Sequence, residues 1–477
     1  MITESADWPK QWKTEYTTPI GKIPQPESED DLRPIALTFF FSKVMEQFVV
    51  MWLLEVLGDK IDFRQYGGMK GNSTSHYLIE LINFILYNQD KIEPTAVLTC
   101  LVDFSKAFNR QDHSILITKL SDMGTPPWLL KIVISFLKER SMILRYKGAS
   151  SSKKMLPGGG PQGTLLGLFL FLILINDVGF KDQMNDLGEI STCKRKLREV
   201  NELHLKYVDD LALAEAVDLK SQLTEVAVTD RPQPDTFHAR TGHELRPENS
   251  RVYLQLQRTE EYAKVNKMKI NGKKTKLMLF NPGSKRDFMP KFELGKTELE
   301  LAEETTLLGV VMRSDLAWTS NTDYIVKRAY KKLWSLRRLK KLGANSNDLL
   351  DVYYKQVRSI LEYAVPVWHP SLTGDDRLKI ERVQKAALSI IMGEGYQSYK
   401  TALRACNVET LFSRRQNLCR KFAKKSLKHG KFSKWFKPNP KVTITRLKPT
   451  RFCKLYTRTA RYEKSPIGFL TNLLNNL

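Results

Sequence analysis

The feature that most constrains the fold of this chain is a set of carboxylates at the ends of short apolar strands. The run LTCLVDF predicts a buried strand that ends at Asp103, and LKYVDDLALA predicts two apolar strands joined by a turn with Asp209 and Asp210. An uncompensated carboxylate in apolar surroundings is costly. Grouped carboxylates also repel one another unless a divalent cation offsets their charge. The pattern therefore indicates strands that gather these side chains around a metal ion.

Each of these elements has a simpler interpretation when it is taken alone. Asp103 is also typical of a helix N-cap, since a helical pattern follows it, and an acidic pair is common in hairpin turns. A third element, PGGGPQG, precedes an apolar helix predicted at 164–178. Glycines let the backbone approach a ligand, and a helix N-terminus favours phosphate, but plain loop-to-helix junctions share this composition. Only the combination favours nucleotidyl transfer with two Mg²⁺ ions.

Composition excludes several other classes of protein. The chain has 477 residues, enough for two to four domains, and 42% of them are hydrophobic, which excludes wholesale disorder. Five cysteines without a CxxC pair argue against a disulfide scaffold and a zinc finger. The N-terminus lacks an apolar signal segment, and no apolar run is long enough for a membrane span. We expect an intracellular protein that is neither secreted nor inserted in a membrane.

The formal net charge of +24 predicts a polyanionic partner. Residues 404–464 contain 19 basic and 2 acidic residues, and residues 324–341 contain eight basic residues and no acidic one. Cations neutralise phosphates and aromatic faces stack on bases, so both segments favour nucleic-acid contact over a merely solvated helix face. The aromatic residues interleaved in the first segment are Phe412, Phe422, Phe432, Trp435, Phe436, Phe452, Tyr456 and Tyr462.

Local patterns predict the order of elements along the chain. Residues 1–34 are polar and are expected to be an extended lead-in. Residues 229–250 hold three prolines and little apolar content, which predicts an exposed insertion, and CKRKLR (193–198) is a second inserted segment. From about residue 320 the pattern is mainly helical. Helices are predicted at 35–57, 77–87 and 128–137. Strands are predicted at 96–102, at 205–216 around a turn, at 267–280 and at 307–312.

The chain resembles the reverse transcriptases of non-LTR, LINE-type retrotransposons from about residue 8 to about residue 420. The resemblance implies a right-hand polymerase of the α/β class, with fingers, an antiparallel-sheet palm, and a mainly helical thumb and C-terminal region. The matching blocks, in the order of that family, are DLRPIALTFFFSKVMEQ (31–47), QYGGMKGNSTSHYLIELI (65–82), LVDFSKAFNRQDH (101–113, motif A), GGGPQGTLLGLFLFLILIND (158–177, motif B), KYVDDLALAEA (206–216, motif C), KMKINGKKTKLMLF (267–280, motif D) and LLGVVMRSDLAW (307–318, primer grip).

The resemblance also implies roles for particular residues. Asp103, Asp209 and Asp210 match the catalytic, metal-binding carboxylates. Phe108 matches the ring that excludes a 2′-OH, although it also fits simple core packing. Gln162 matches the glutamine that touches the incoming nucleotide. Arg33 and Lys43 match basic residues that contact the triphosphate, and Lys274 matches the residue that protonates the pyrophosphate leaving group. For these three residues, a plain surface charge is the alternative interpretation.

The implied function is RNA-directed DNA polymerisation, in which a DNA 3′-OH is extended with dNTPs on an RNA template. The expected cofactor is Mg²⁺, as two ions with Mn²⁺ as a substitute, and the expected location is the nucleus or the cytoplasm. Any endonuclease activity is expected from another chain or a missing N-terminal region. Asn109 and Leu168 depart from the usual motif A and motif B patterns. Asn109 does not match a metal ligand, so the chemistry is expected to survive that departure. The insertions and the missing endonuclease keep open a catalytically inactive remnant that only binds nucleic acid, and a group II intron-type maturase is a third option.

The predicted domains follow from these assignments. They are an extended lead-in (1–34), fingers and palm (35–313), a helical thumb region (314–403) and a basic nucleic-acid-binding C-terminal region (404–477).

Overall fold

The computed structural model describes most of the chain. The described residues are 6–476 except 24, 94, 106, 157, 180–200, 218–222, 228–240, 246 and the segments 282–289 and 441–450. The inserted segment 193–198 and the first part of the predicted insertion, 229–240, therefore lie outside the described residues.

The N-terminal half mixes strands with helices, and the C-terminal half is helical. The strands are β1 (Thr14–Gly21), β2 (Leu32–Leu37), β3 (Ala96–Val102), β4 (Ser141–Tyr146), β5 (Ala149–Ser150), β6 (Lys154–Met155), β7 (Glu202–Tyr207), β8 (Asp210–Val217), β9 (Leu223–Ala227), β10 (Thr241–Leu245), β11 (Lys276–Phe280), β12 (Glu293–Leu294), β13 (Thr297–Glu298), β14 (Glu300–Leu301), β15 (Glu304–Leu307) and β16 (Val310–Arg313). The helices are α1 (Phe40–Leu57), α2 (Thr74–Gln89), α3 (His113–Asp122), α4 (Pro127–Leu137), α5 (Leu165–Leu174), α6 (Arg251–Val265), α7 (Thr319–Lys341), α8 (Ser346–Val352), α9 (Ser359–Glu362), α10 (Val365–Trp368), α11 (Gly374–Met392), α12 (Tyr399–Ala405), α13 (Leu411–Lys428), α14 (Ala460–Glu463) and α15 (Pro466–Asn475).

A five-stranded sheet in the order β14-β11-β3-β8-β7 carries the predicted carboxylates. Its pairs β11–β3, β3–β8 and β8–β7 are antiparallel, and the short edge pair β11–β14 is parallel. The strand predicted at 96–102 has those bounds in the structure. The antiparallel sheet and the helical C-terminal half agree with the predicted fold class.

Both faces of this sheet are covered by apolar side chains, which explains why its strands are apolar at nearly every position. Val97 packs in one core, which also contains buried residues of α2 and of the C-terminal helices. Leu98 and Cys100 pack in a second core with residues of α1 and α3–α6. Successive side chains of a strand point to opposite faces. The sheet therefore lies between these two cores and contributes side chains to both.

A second sheet is built from the N-terminal strands and a later hairpin. Strand β1 pairs antiparallel with β2 and parallel with β4. Part of the predicted lead-in is thus a paired strand of a sheet. The helix predicted from residue 35 begins at Phe40 instead, because residues 35–37 belong to β2. The competing β-pairing of Ile35 and Ala36 overrides the helical pattern.

The described part of the predicted insertion is not an exposed loop. Strand β10 pairs antiparallel with β9 over residues 241–245. Leu245 and Ser250 are buried, and Ser250 caps α6 by accepting a hydrogen bond from the backbone N–H of Tyr253. The prediction of exposure is wrong for Leu245 and Ser250, because composition does not reveal strand pairing or capping, whereas Glu248 and Asn249 are exposed as predicted.

The helical prediction from residue 320 is confirmed. In α7 the apolar positions Ile325, Ala329, Leu333 and Leu336 are buried, and the basic residues occupy the other faces. Helix α13 packs against α10, α11 and α15. Among the described residues, no helix is both long and apolar enough to cross a membrane, and the four described cysteines are free thiols.

The aromatic residues of 404–464 mostly do not face solvent. Phe432, Trp435, Phe436, Phe452 and Tyr462 are buried in the core. The expectation that these rings offer faces to nucleic-acid bases is therefore wrong for them, because helix packing uses them as core residues. Two of the rings are exposed, Tyr456 with 88% and Phe412 with 39% of its surface accessible.

Candidate active site

The register of the main sheet brings two of the predicted carboxylates side by side. Val102 on β3 pairs with Leu211 on β8 in the antiparallel ladder. Asp103 follows directly after this pair, and Asp210 directly precedes it. Residues opposite one another in such a ladder have Cα atoms about 5 Å apart, so Asp103 and Asp210 lie on neighbouring strands at one end of the sheet.

Asp209 lies in the tight turn between β7 and β8. Tyr207 and Asp210 form the last pair of that hairpin, which leaves Val208 and Asp209 as its two-residue turn. Val208 has a φ of 57°, in the left-handed region that β-branched residues avoid. Such a conformation costs on the order of 1–3 kcal/mol and persists only where the surroundings impose it.

The block 65–82 supplies those surroundings. The Gln65 side-chain oxygen Oε1 accepts hydrogen bonds from the backbone N–H groups of Gly67 and Val208, both at 3.0 Å. A Cβ on Gly67 would lie 2.6 Å from Cγ2 of Val208 and 2.7 Å from its backbone nitrogen, so only glycine permits this approach. Gln65 and Gly67 therefore hold the turn that carries Asp209, a role that the sequence analysis did not assign.

Motif D holds the chain around Asp103. The Asp103 carbonyl accepts a hydrogen bond from the backbone N–H of Asn271 at 2.8 Å, and its own N–H donates to Oγ1 of Thr275 at 3.3 Å. Ser105 donates to the carbonyl of Lys269 at 2.8 Å. These bonds fix the direction in which the chain leaves β3, and with it the position of the Asp103 carboxylate.

The three carboxyls share an electrostatic environment that disfavours their charged forms. Burial raises the pKa of Asp103, Asp209 and Asp210 above the usual range of aspartate. Repulsion by Asp103 raises the pKa of Asp209 further, and the charges of Asp209 and Asp103 add to the effect of burial on Asp210, whose pKa is about 7. The three groups are therefore close enough to influence one another.

Little in the described part of the chain compensates this charge. Arg33 lowers the pKa of Asp209, and Lys274 and Lys22 lower that of Asp103, but none of them outweighs burial. No ion pair of the three carboxylates is seen among the described residues. A site that gathers hard oxygen donors with no ion-paired cation among the described residues suits a divalent metal ion. As the side chains stand, no three His, Cys, Asp or Glu residues of the described part form a group that could hold a metal.

A buried ion pair lies beneath the turn. Nζ of Lys206 is 2.7 Å from Oδ2 of Asp62, and both side chains are almost fully buried. The same ammonium group donates to the carbonyls of Ile175 and Asn176, which follow α5. Burial lowers the pKa of Lys206 to about 8, with Asp62 opposing the shift. This pair links β7 to motif B. The sequence analysis did not single it out, and the lysine next to the apolar strand residues of β7 is the signal that could have found it.

The glycine-rich loop packs directly on motif A. Gly159 donates a backbone hydrogen bond to the carbonyl of Gln111 at 3.0 Å, and Gly160 donates to that of Phe108 at 2.8 Å. A Cβ on Gly160 would lie 2.6 Å from Oε1 of Gln111. Close packing between motifs A and B thus accounts for the glycine at position 160 without a ligand.

The structure brings some of the other predicted residues to this region. The ring of Phe108 is partly buried and stacks on Phe171, with 4.7 Å between ring centroids. Gln162 lies in the glycine-rich loop, and its carbonyl accepts a hydrogen bond from the N–H of Ala36 at 2.9 Å, which ties motif B to β2. Lys43 is exposed on α1, and no effect of its charge on the three carboxyls is seen in the described part.

The family model and the curated proteins that match this chain are described alike, as reverse transcriptases or RNA-directed DNA polymerases. The reverse transcriptase (RNA-dependent DNA polymerase) family matches residues 23–230. A probable RNA-directed DNA polymerase from transposon BS of Drosophila melanogaster is 29% identical over 174 residues, 36% of this chain and 19% of that protein. The polymerase from the mobile element jockey of Drosophila melanogaster is 29% identical over 185 residues, 38% of this chain and 20% of that protein. The matches thus span about a fifth of the length of these curated relatives.

Solved structures similar to this one include telomerase from Candida tropicalis. The apo enzyme gives a TM-score of 0.44 at 11% identity, over 91% of this chain and 66% of that chain. The same telomerase in complex with a TWJ fragment of telomeric RNA gives a TM-score of 0.43 at 12% identity, over 89% of this chain and 60% of that chain.

Proposed function

We propose that this chain, which carries a reverse transcriptase domain over residues 23–230 similar to those of the non-LTR elements jockey and BS, is an RNA-directed DNA polymerase. It extends a DNA 3′-OH with dNTPs along an RNA template. The observation that carries the proposal is the set of three half-buried carboxylates at the end of the main sheet, which have no ion-pair partner among the described residues.

The proposed cofactor is magnesium. Reverse transcriptases generally depend on a divalent metal, and the three carboxylates are donors of the kind that Mg²⁺ prefers. Asp103, Asp209 and Asp210 would hold two Mg²⁺ ions, with Mn²⁺ as a substitute. When bound, the ions activate the attacking hydroxyl and stabilise the leaving pyrophosphate. The hydrogen bonds of Gln65 and Thr275 support the backbone from which these carboxylates project.

Other residues of the site would position the nucleotide. The Phe108 ring, fixed by its stack on Phe171, excludes a 2′-OH and so selects deoxynucleotides. Gln162 touches the incoming nucleotide from the glycine-rich loop. Arg33 and Lys43 contact the triphosphate, and Lys274 donates the proton that the pyrophosphate leaving group takes up.

We propose the following organisation and partners. Residues 35–313 are fingers and palm, 314–403 a thumb region and 404–477 a nucleic-acid-binding region. The partners are template RNA, a DNA primer and dNTPs. Any endonuclease activity comes from another chain or from a further N-terminal region.

Primer extension with the purified chain on poly(rA)/oligo(dT) tests the proposal. We expect incorporation of dTTP that requires Mg²⁺, and a loss on the order of 10³-fold for Asp209→Asn, by analogy with other groups that stabilise transition-state charge. Asp122→Asn, an exposed acid at the end of α3, is the matched control and retains activity. A folded chain without incorporation would instead support the inactive remnant, and full activity in Asp209→Asn would contradict the assigned site.

A further inference from the structure

A second concave site lies on the main sheet, far from the carboxylates. It is a pocket of about 580 Å³ between the end of α2, the start of β3 and the segment 456–462. Thr95 lines it and directly precedes β3, whereas Asp103 follows that strand. At about 3.3 Å per residue along a strand, the pocket lies roughly 25 Å from the candidate active site.

The pocket combines aromatic rings with cations. Tyr87, Tyr456 and Tyr462 line it together with Lys91 and Arg458. Tyr456 is 88% exposed, the largest exposed fraction of any large apolar or aromatic side chain in the described part. Nζ of Lys91 lies 5.8 Å from the centroid of the Tyr87 ring, so a cation and an aromatic face are presented together.

The pocket wall is held in place by well-formed contacts. The Asp90 carboxylate accepts hydrogen bonds from the backbone N–H groups of Arg458 and Thr459 and from the Thr459 hydroxyl. The Asp90 carboxylate is therefore engaged in fixing the segment that carries Tyr456 and Arg458, and Glu93 is the second acidic residue that lines the pocket. The segment also belongs to the stretch 404–464, with 19 basic and 2 acidic residues, so the surrounding surface attracts a polyanion.

We propose that this pocket binds one unpaired nucleotide of a single-stranded nucleic acid, with its base against Tyr456 and its phosphate toward Lys91 and Arg458. Base–aromatic stacking beside cations is the general means by which single strands are held without sequence preference. The site would retain single-stranded nucleic acid away from the point of synthesis. It does not depend on the polymerase activity, since it requires neither the carboxylates nor a primer.

The test measures the affinity of the full chain for fluorescently labelled rU12 and dT12, without primer or dNTPs. We expect Tyr456→Ala to weaken binding roughly 5- to 100-fold, as the removal of one base–aromatic stack does, and Tyr456→Phe to preserve it. Because Tyr456 is almost fully exposed, its replacement leaves the fold intact. Tyr146→Ala, a half-exposed ring on β4, is the matched control and leaves the affinity unchanged.

Charge removal gives a second, independent readout. Arg458→Gln should reduce the slope of log K against log salt by about 0.7, the value for one phosphate contact on a single strand. Lys385→Gln, which removes an exposed charge on α11, should leave that slope unchanged. If the variants weaken the binding of rU12 alone, the ligand is RNA, and if they weaken the binding of dT12 alone, it is DNA. Equal weakening of both shows that the pocket accepts either kind of single strand. If Tyr456→Ala and Arg458→Gln bind both strands as the parent does, the proposal is overturned, whatever the outcome of primer extension.

Discussion

The side chain of Phe108 has two possible uses that the sequence could not separate. In the structure its ring stacks on Phe171, which satisfies the packing interpretation, yet it stays only partly buried beside the loop that carries Gln162. A ring supported on one face by another ring is rigid, and rigidity is what a steric filter for a sugar hydroxyl requires.

We predict that Phe108→Val admits ribonucleotides. The smaller side chain opens room for a 2′-OH without touching the three carboxylates. The measurement is the ratio of rNTP to dNTP incorporation efficiency, which should rise by one or more orders of magnitude. Phe412→Val, which alters a partly exposed ring on α13, serves as the control. An unchanged ratio in Phe108→Val would show that Phe108 contributes only to packing.

At the scale of elements, the β7–β8 turn depends on a neighbour distant in sequence. Val208 adopts its left-handed backbone because Gln65 accepts its N–H and Gly67 leaves space for its side chain. A turn fixed in this way presents Asp209 in one orientation, so the strained backbone helps to order the candidate active site.

We predict that Gly67→Ala lowers polymerase activity far more than it lowers stability. The added methyl would lie within 3 Å of Val208 and must displace the turn. We expect at least a tenfold loss of dNTP incorporation, together with a melting temperature reduced by only a few degrees. Gly58→Ala, whose Cβ would meet nothing within 4 Å, should change neither quantity. Equal activity of the two variants would show that the turn does not need this support.

The contact between α2 and the C-terminal region depends on neutral histidine. His76 on α2 stacks on Phe432 with 3.9 Å between ring centroids, and its ring nitrogens are within hydrogen-bond distance of Ser73 and Ser426. Burial lowers the pKa of His76 to about 3, with smaller contributions from His429, Lys425 and Lys431. Burial likewise lowers the pKa of His369 to about 3.

We predict that acid destabilises the protein through these two histidines. Their folded pKa values lie below the unfolded value of about 6.5, so the unfolded chain binds protons more readily. Their contribution is fully present above about pH 6.5 and is lost as the pH falls toward 3, by about 1.4 kcal/mol per pH unit for each histidine. The free energy of unfolding, measured from pH 7 to 5, should fall less steeply in His76→Gln than in the parent. An identical pH slope would contradict this assignment.

At the scale of the molecule, the C-terminal region is part of a core that it shares with the main sheet. Leu411, Cys419, Phe432 and Leu470 are buried in the cluster that also contains Val97 of β3. The exposed lysines of α13, Lys421, Lys424 and Lys428 among them, therefore lie on the outer face of a helix whose inner face completes the fold, whereas Arg415 is buried. Removing the region would expose that core, so a truncation near Leu403 tests stability rather than nucleic-acid binding.

We predict that α13 contacts phosphates through its exposed lysines. Lys421→Ala, Lys424→Ala and Lys428→Ala combined should weaken primer–template binding and flatten the slope of log K against log salt by about 0.7–0.9 for each phosphate that the variant no longer neutralises. The melting temperature should stay close to that of the parent, since these side chains are exposed.

The matched control for that variant removes three exposed lysines elsewhere. Lys131 lies on α4, Lys138 directly follows that helix, and Lys153 directly precedes β6. Their replacement by alanine changes the net charge equally and should leave the salt slope unaltered. Equal slopes for the two triple variants would mean that α13 contributes only to the overall charge.

The family resemblance and the main sheet could be predicted from the sequence because their signals are local. A strand that is apolar on both faces is a short continuous run, and Ala96–Val102 is one. The resemblance to non-LTR reverse transcriptases is confirmed by the match over residues 23–230 and by the Drosophila relatives. The motifs that carry it could be read because each is a contiguous run of residues.

Other features were decided only by tertiary contacts. The hydrogen bond from the Val208 N–H to Gln65 joins residues 143 positions apart. The stack of Phe432 on His76 likewise joins the C-terminal helical region to α2. Residues 35–37 became a strand because β1 offered a partner, and residues 241–245 did so because β9 offered one. Sequence determines what each segment can do by itself. The structure decides which of those options is taken, because burial and pairing energies depend on the neighbours that folding supplies.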